Sequence, residues 1–332
     1  MSEVRLITAD VVDELADPRD YVDAVREGYR QRGEAAPARS RTRLEGEDPP
    51  GMLTGYSAIL PDTGAMGGYM YAAGFGSSDG WFFLPLFDAR SGEPLALIDG
   101  SSMNPIKTGS ASAVAVDELA RSEAATLGLV GSGNQAWGQL QAIDVVRDLD
   151  EVRVFSPTRE HRQAFARHAA GELGLDVEPV DHVEAAVASD IVVTATRSGE
   201  PVFDDRDLRE GTHVTAMGRY HPRRREVDGR TVARSVYVPD LRARVDEDAG
   251  AFRQAREEGL IGADHVHAEL GAVVADVAPG RTSPEDVTLF DSGGTGIETV
   301  AAGAMLCERA REQELGSTIA WTPASEGMDR PW

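Results

Sequence analysis

Lysine, cysteine and long apolar runs are what this sequence has least of. Its 332 residues include one cysteine, Cys307, and one lysine, Lys107. A single cysteine rules out an internal disulfide, and Cys307 falls in a helical pattern where a small buried apolar residue is expected and no catalytic role is assigned. No apolar stretch is long enough to cross a bilayer, and the N-terminus shows no basic, apolar, small-residue leader, so a cytoplasmic protein with no membrane partner is expected. Positive charge is scarce too: 33 Lys and Arg face 56 Asp and Glu, a formal net charge of -23. The acidic excess runs along the whole chain, which argues against a nucleic-acid partner. Acidic excess with almost no lysine is the composition of a cytosolic protein from a salt-loaded halophile, where a charged, hydrated surface maintains solubility. Where lysine is so rare, the one at 107 invites a chemical reason.

The stretch that is most informative runs from Ala124 to Ile143. An apolar run, Leu127, Leu129 and Val130, breaks into Gly131-Ser132-Gly133-Asn134-Gln135-Ala136 and resumes as a helical pattern. Strand, glycine turn and helix in that order are the context of a dinucleotide fingerprint. Gly131 permits the tight turn, Gly133 lets backbone approach a pyrophosphate, and Ala136 lets the helix pack close, while the helix N-terminus offers free N–H groups to phosphate.

Around it the chain divides in two. Thr8 and Asp10 precede a helical pattern through Val11, Leu15, Tyr21, Val22, Val25 and Tyr29, broken at Pro18. Strand-like runs follow at Met52–Leu60, Tyr69–Ala73, Trp81–Phe87 and Pro94–Ile98, the last two joined by the turn Asp88-Ala89-Arg90-Ser91-Gly92, so an antiparallel sheet with helices is expected. Arg39, Arg41 and Arg43 are its candidates for facing a ligand. A small-residue helix after Gly109 leads into the fingerprint strand and places Lys107 and Thr108 near its start. Beyond it, strands at Val152–Phe155, Val177, Ile191–Ala195, His213–Met217, Ser235–Val238 and Val287–Phe290 alternate with helical patterns, which argues for a doubly wound parallel sheet. A final helix, Ile297 to about Arg311, is expected to return to the first domain. The expected architecture is therefore α/β: a Rossmann-type dinucleotide-binding domain at 122–296, and an α+β substrate and dimerisation domain at 1–121 together with 297–332. Where the second Rossmann strand ends, an NAD site usually carries a carboxylate for the ribose 2′-OH. Here stand Ser156, Thr158, Arg159 and Arg162, which favour NADP(H) over NAD(H).

Several segments in the right order resemble the ornithine cyclodeaminase/mu-crystallin family over nearly the whole chain. They are S-G-E-P-L-A-L-I-D-G at 91–100, I-K-T-G-S-A-S-A-V-A-V-D-E-L-A at 106–120, G-L-V-G-S-G-N-Q-A at 128–136, D-I-V-V-T-A-T at 190–196, A-P-G-R-T-S-P-E-D-V-T-L-F-D-S-G-G at 278–294, and Gly296-Ile297-Glu298. The resemblance implies a homodimer and a nicotinamide cofactor held in the cleft. Beside the fingerprint residues and Thr108, it assigns Ala195, Thr196, Met217, Gly218, Ser292 and Gly293 to that cofactor. It implies that Lys107 stands where the family commonly has a carboxylate-holding arginine, with charge kept and the bidentate fork lost. Arg41, with Arg43 beside it, matches a second substrate-binding arginine. Tyr69 stands in the place of the family's substrate-facing lysine, and Tyr220 or His221 in the place of its acid/base aspartate. Two expected proton handlers are thus replaced.

Lys107, Tyr69, Tyr220 and His221 are the catalytic candidates. Cyclodeamination of ornithine needs proton shuttling between two hydride transfers, whereas reducing a cyclic ketimine or imino acid, or oxidising a small amino acid, needs less. An NAD(P)-dependent reductase or dehydrogenase acting on a C–N bond is the leading reading. Ornithine cyclodeamination and a non-catalytic NADP(H)-binding role are the alternatives. His265-Val266-His267 reads as a surface loop and His213 as a satisfied core histidine, with no metal site expected. Arg223-Arg224-Arg225 reads equally as a solvated turn or an anion-attracting one, and Trp321 and the tail to Trp332 carry no readable signal beyond packing at the dimer edge.

Overall fold

A computed structural model describes residues 2–218 and 220–328. Arg219 of the Gly218 loop and the last four residues, ending in Trp332, lie outside the described residues. In chain order the elements are β1 (Ser2–Ile7), α1 (Ala9–Glu14), α2 (Pro18–Gly33), β2 (Thr42–Glu47), β3 (Pro50–Leu60), β4 (Ala65–Gly74), β5 (Gly80–Asp88), β6 (Pro94–Asp99), α3 (Gly100–Leu119), β7 (Thr126–Val130), α4 (Asn134–Val146), β8 (Glu151–Phe155), α5 (Arg159–Glu172), β9 (Val177–Pro179), α6 (Val183–Val187), β10 (Ile191–Thr194), β11 (His213–Ala216), α7 (Gly229–Arg234), β12 (Ser235–Pro239), α8 (Gly250–Glu257), α9 (Leu270–Val274), β13 (Val287–Asp291), α10 (Gly296–Glu312), β14 (Ser317–Trp321) and α11 (Ala324–Met328). They form two compact units, residues 1–104 with 295–332 and residues 105–294, the division falling inside α3.

The first unit is built on a sheet in the order β14-β1-β6-β5-β4-β3-β2. β3 shows why it folds this way: Thr54, Tyr56, Ala58 and Leu60 are buried while Leu53, Ser57 and Ile59 are exposed, a period of two. The inward face packs on α10, which also lies against α2. Close approach of those helices needs Gly28, where a Cβ would stand 3.0 Å from that of Ala301. Pro18, read as a break, opens α2 as its first residue, and the Asp17 carboxylate caps it by accepting from Arg19 N at 2.8 Å. Asp88 builds the expected turn into β6, accepting from the N–H groups of Arg90 and Ser91.

Two features correct the sequence reading. The chain opens on a strand, β1, ahead of the helices, and β1 runs parallel to β6, so the sheet is mixed where an antiparallel one was expected. β14, which runs up to Trp321 and has no counterpart in the sequence reading, pairs antiparallel with β1. Ser2–Ile7 buries only Val4 and Ile7, so its pattern is too weak to read locally, and its strand character comes from partners over 80 residues away.

The second unit is the doubly wound sheet. Its order, β12-β13-β11-β10-β7-β8-β9, is parallel throughout. β7, β10 and β13 are almost continuously buried, as strands covered on both faces must be. After β7 the chain steps outward through β8 and β9, then crosses to β10 on β7's other side. The reversal creates a switch point between β7 and β10, where a ligand binds beyond the strands' carboxyl ends.

Candidate functional site

At the end of β7 the chain turns at Gly131, whose φ of 125° lies in the region that favours glycine. A Cβ there would stand 2.4 Å from the carbonyl oxygen of Ala195, which follows β10, so the switch point is closed by backbone against backbone. Gly133, the N-cap of α4, contributes no side-chain cap and has no heavy atom within 4 Å of where its Cβ would be. The leading N–H groups of a 13-residue helix thus start behind open space. Gln135 keeps a buried side-chain oxygen with no hydrogen-bond partner, an acceptor suited to a ribose hydroxyl, and Ala136 is fully buried against the sheet. These features fit a dinucleotide, its pyrophosphate on Gly131–Asn134.

Glycines bring the start of α3 against α4, the helix that follows this turn. Cβ atoms on Gly109 and Gly138 would fall 2.0 Å from Gly138 O and 2.2 Å from Pro105 O. α3 and α4 therefore cross in backbone contact at Pro105, Gly109 and Gly138, one helical turn into α4 from Asn134, and Lys107 and Thr108, both buried, fall between the α3 contact residues in the chain.

At the end of β8, Ser156 accepts from the Ser132 hydroxyl at 3.0 Å and donates to Thr158 O at 3.2 Å. Thr158 is the N-cap of α5 with no side-chain cap bond, and Thr158 and Arg159 are exposed. Arg162 departs from the reading: it is buried, donates to Ser156 O at 2.9 Å and pairs with Asp181. It braces the Ser156 turn and is not a solvated or phosphate-facing arginine.

Sequence reasoning missed three buried carboxylates that organise the other strand ends. Glu226 accepts from Thr196 N and Gly218 N, both at 2.6 Å, and from the Thr194 hydroxyl at 3.1 Å, tying the loops after β10 and β11 together. Burial raises its pKa against those three donors. Asp240 accepts from Gly293 N at 2.7 Å and Gly294 N at 2.9 Å, and from Arg244 Nε at 2.6 Å. Asp291 takes Arg244 Nη2 and the Tyr237 hydroxyl, and Asp248 takes Arg244 Nη1 at 2.8 Å. Burial alone would lower the guanidinium pKa, but Asp240, Asp291 and Asp248 hold it well above the ordinary value. A Cβ on Gly293 would lie 2.4 Å from Arg244 Nε, so the loop of Ser292 and Gly293 rests on that guanidinium. Glu226 follows three arginines, and Asp240 lies with Arg244 in a charged stretch, so these residues read locally as surface, whereas Asp291 ends a buried strand.

The Gly218 loop carries the candidates Tyr220 and His221. Met217 is buried and its N–H donates to Thr194 O at 3.1 Å. His221 Nδ1 accepts from Arg223 N at 3.1 Å, and Gly250 lies beneath the loop, where a Cβ would stand 2.2 Å from Arg224 O and 2.5 Å from His221 O. Arg225 lies 3.5 Å from Glu258, so the arginine run is partly anchored. Tyr220 is half-buried in the same loop.

In the first unit Tyr69 is buried, its hydroxyl donates to Gly100 O, and its ring packs with Tyr56, Tyr71 and Phe82. A Cβ on Gly100 would strike that ring at 2.3 Å. Arg41 lies 5.1 Å over the Tyr56 ring, a cation on the aromatic group that contains Tyr69. Arg43 pairs with Glu45 at 2.8 Å, and Arg39 N donates to Ser57 O.

His213, His265 and His267 are held by other groups. His213 is fully buried between Thr288 Oγ1 at 2.9 Å and Thr215 Oγ1 at 3.1 Å, the satisfied core histidine expected. His265 is part-buried against Val232 O and His267 meets Pro279 O, so the two rings engage separate carbonyls.

Comparison with known proteins follows the same lines. The sequence profile described as the ornithine cyclodeaminase/mu-crystallin family matches residues 73–314. The chain is 38% identical over 237 residues to a Delta(1)-pyrroline-2-carboxylate reductase of Bacillus cereus, covering 70% of this chain and 72% of the relative. Among solved structures, it resembles the Thermococcus litoralis Delta(1)-pyrroline-2-carboxylate reductase in complex with NADH and L-proline, with a TM-score of 0.89, 29% identity, and coverage of 95% of this chain and 100% of that one. An archaeal alanine dehydrogenase dimer with bound NAD matches at a TM-score of 0.89 and 29% identity, covering 97% and 100%.

Proposed function

The chain belongs to the ornithine cyclodeaminase/mu-crystallin family, and on that premise we propose that it is an NAD(P)-dependent reductase acting on the C=N bond of a cyclic ketimine or imino acid with a carboxylate beside it. One observation carries the reading: a dinucleotide cradle at Gly131–Asn134 on the switch point, in a chain whose relatives include reductases of such imines. When bound, the cofactor supplies the hydride. The protein supplies position and charge. Gly131, Gly133, Gln135 and Thr108 would hold the pyrophosphate and ribose, and the loops of Ala195–Thr196, Met217–Gly218 and Ser292–Gly293, tied together by Glu226 and Asp240, would hold the nicotinamide. Lys107 is the second unit's proposed cation for the substrate carboxylate, and Arg41, with Arg43 beside it, is the first unit's candidate for that role. Tyr69, Tyr220 and His221 complete the candidate catalytic set.

We further propose NADPH as the preferred cofactor, because the exposed Thr158 and Arg159 beside Ser156 offer hydroxyl and guanidinium groups where an NAD site carries a carboxylate. Ornithine cyclodeamination is the weaker reading. Its proton shuttle needs a group that can take and return a proton, and the buried carboxylates near these loops already accept hydrogen bonds from backbone N–H groups, hydroxyls and Arg244. The acidic, lysine-poor composition fits a salt-loaded cytoplasm.

A homodimer is the proposed assembly. Across β2 to β5 the outward positions line up as Leu44–Leu53–Ala72–Trp81, Gly55–Met70–Phe83 and Ile59–Met66–Phe87. Trp81 is 66% exposed, Met70 54% and Phe83 52%. Contiguous apolar rows of this kind mark an interaction surface, and a second copy of the same face matches it in chemistry.

The decisive experiment incubates the purified protein in high salt with NADPH or NADH and a panel of cyclic imino acids, 2-oxo acids with ammonia, and ornithine. Imine-dependent NADPH oxidation is expected. Release of proline and ammonia from ornithine would establish the cyclodeaminase instead, and tight cofactor binding with no turnover would favour the non-catalytic binder.

A further inference from the structure

Arginines of this acidic chain are commonly neutralised where they stand: Arg30, Arg121, Arg147, Arg153, Arg162 and Arg309 each hold a carboxylate. Arg225, the last of the run 223–225, joins them, part-buried and 3.5 Å from Glu258. Arg197, Arg223 and Arg224 do not. All three are exposed, and among the described residues none engages a carboxylate. Glu200, the acid nearest to Arg197 in the chain, meets Ser198 through its backbone. In a chain with 56 Asp and Glu, the lack of a partner here is not for want of carboxylates.

The backbone under these arginines is fixed. Ser198 N donates to Thr196 Oγ1 at 3.0 Å and the Ser198 hydroxyl to Glu200 O at 2.7 Å, closing the turn that carries Arg197. Arg223 N and Arg224 N both bond back to His221, and Gly250 lets that turn sit down, since a Cβ there would stand 2.2 Å from Arg224 O. The two turns are also fastened to each other. Arg225 N donates to Gly199 O at 3.2 Å, Val202 N donates to Glu226 O at 2.8 Å, and the Glu226 carboxylate holds Thr196 N and Gly218 N. Gly199 then lets Arg224 cross the seam: its Cγ and Cδ lie 3.7 Å from where a Cβ of Gly199 would be. The Arg197 Cα is two residues away, within about 7 Å of that of Gly199, so two guanidinium groups from different loops can reach one ligand.

We propose that Arg197 and Arg224 form a binding site for a phosphate dianion, free or as a phosphomonoester, separate from the nucleotide turn at Gly131–Asn134. Each guanidinium presents a planar fork of donors. A single carboxylate offers two coplanar oxygens and is used up by one fork, whereas phosphate oxygens point to the corners of a tetrahedron and serve two forks set at an angle. Arg223 beside them adds positive charge in a chain whose net charge of -23 otherwise repels anions. The bound dianion links the segment after β10 to the turn after β11, the same pair that Glu226 joins through Thr196 and Gly218.

The test titrates inorganic phosphate by calorimetry into the full-length protein saturated with NADPH, with chloride holding the ionic strength constant. NADPH fills the nucleotide turn, so the phosphate taken up belongs elsewhere. One phosphate per chain is expected, with a melting temperature that rises with phosphate concentration. Arg197→Gln and Arg224→Gln should each weaken binding roughly tenfold or more with an unchanged circular dichroism spectrum. Arg224→Lys, which keeps the charge without the fork, should fall between wild type and Arg224→Gln. Arg230→Gln, at an exposed arginine of α7, should bind phosphate as the wild type does. Glycerol phosphate distinguishes the sources: binding at least as tight as that of inorganic phosphate assigns the site to a phosphorylated metabolite, and weaker binding assigns it to free phosphate. No phosphate uptake, uptake that survives both glutamine substitutions, or succinate binding as tightly as phosphate would each overturn the proposal. Should NADPH itself fail to bind, the nicotinamide reading falls, while a phosphate signal that Arg197→Gln and Arg224→Gln remove still supports this site.

Discussion

Gly131 and Ala195 meet backbone to backbone: a Cβ on the glycine would stand 2.4 Å from the alanine's carbonyl oxygen, and the Ala195 N–H in turn donates to Val130 O at 2.8 Å. The contact joins the first and fourth strands of the doubly wound sheet at the point where the chain reverses direction. It makes the glycine a requirement of the fold as well as of the ligand, and separates it from Gly133, which has open space and an ordinary φ of −96°.

Gly131→Ala should therefore lose both cofactor binding and stability, the positive φ alone costing about 1–3 kcal/mol. Gly133→Ala should keep the wild-type melting temperature while weakening NADPH binding. Thermal unfolding and nicotinamide fluorescence titration, run in parallel on the two variants, check the distinction. Equal loss of stability in both would contradict it.

Ser156→Asp would place a carboxylate where the cofactor's ribose is proposed to lie. NADPH affinity should drop by about tenfold or more, equivalent to ~1.4 kcal/mol, while NADH binding is retained or improved. The ratio of the two dissociation constants is the measurement, and an unchanged ratio would place the ribose elsewhere.

Removing the Arg244 guanidinium leaves Asp240 and Asp291 buried without their cation. Arg244→Met is expected to destabilise the protein by about 3–5 kcal/mol in urea denaturation. Because Asp240 also fixes Gly293 and Gly294, bound NADPH should recover less of that loss than it does for a core-cavity variant of equal stability, such as one at Val232.

His213 gives a pH dependence with a definite sign. Thr288 donates its hydroxyl to Leu119 O, so His213 must donate to it from Nδ1 and accept at Nε2 from Thr215, which saturates the neutral ring. Burial first, then nearby Arg281 and Arg147, lower its pKa to about 3. The unfolded chain binds a proton near pH ~6.5 that the folded protein refuses, so stability is full above that pH and falls by roughly 1.4 kcal/mol per unit as pH drops toward 3. His213→Gln should flatten that part of the profile in denaturation experiments at graded pH.

Charges on the outward sheet face should separate the proposed dimer. Met70→Glu with Phe83→Glu is expected to yield a monomer by light scattering, with the wild-type circular dichroism spectrum. A dimer that survives the double change would assign the interface to another surface.

Much of the second unit was legible because its signals are local. Continuous apolar runs mark β7, β10 and β13, and the glycine turn after Val130 has the same meaning in sequence and in space. The final helix was also readable: Thr295 and Glu298 form a capping box at its start, and its apolar residues recur at helical spacing. β1 was not, because six residues burying two side chains carry too little pattern to outweigh their surroundings. Nor could Arg162 be placed, since an arginine in the first turn of a helix has the same sequence signature whether it faces a phosphate or turns inward to Asp181.

By itself the sequence determined the doubly wound sheet, the glycine turn after its first strand and the family to which the chain belongs. Only the tertiary structure decided what the remaining charges do. Glu226 reaches Thr196 and Gly218, and Asp240 reaches Gly293 and Gly294, because parallel pairing brings the ends of β10, β11, β12 and β13 into one row. Burial then makes each of these carboxylates a fixed acceptor, since a desolvated charge persists only when donors surround it.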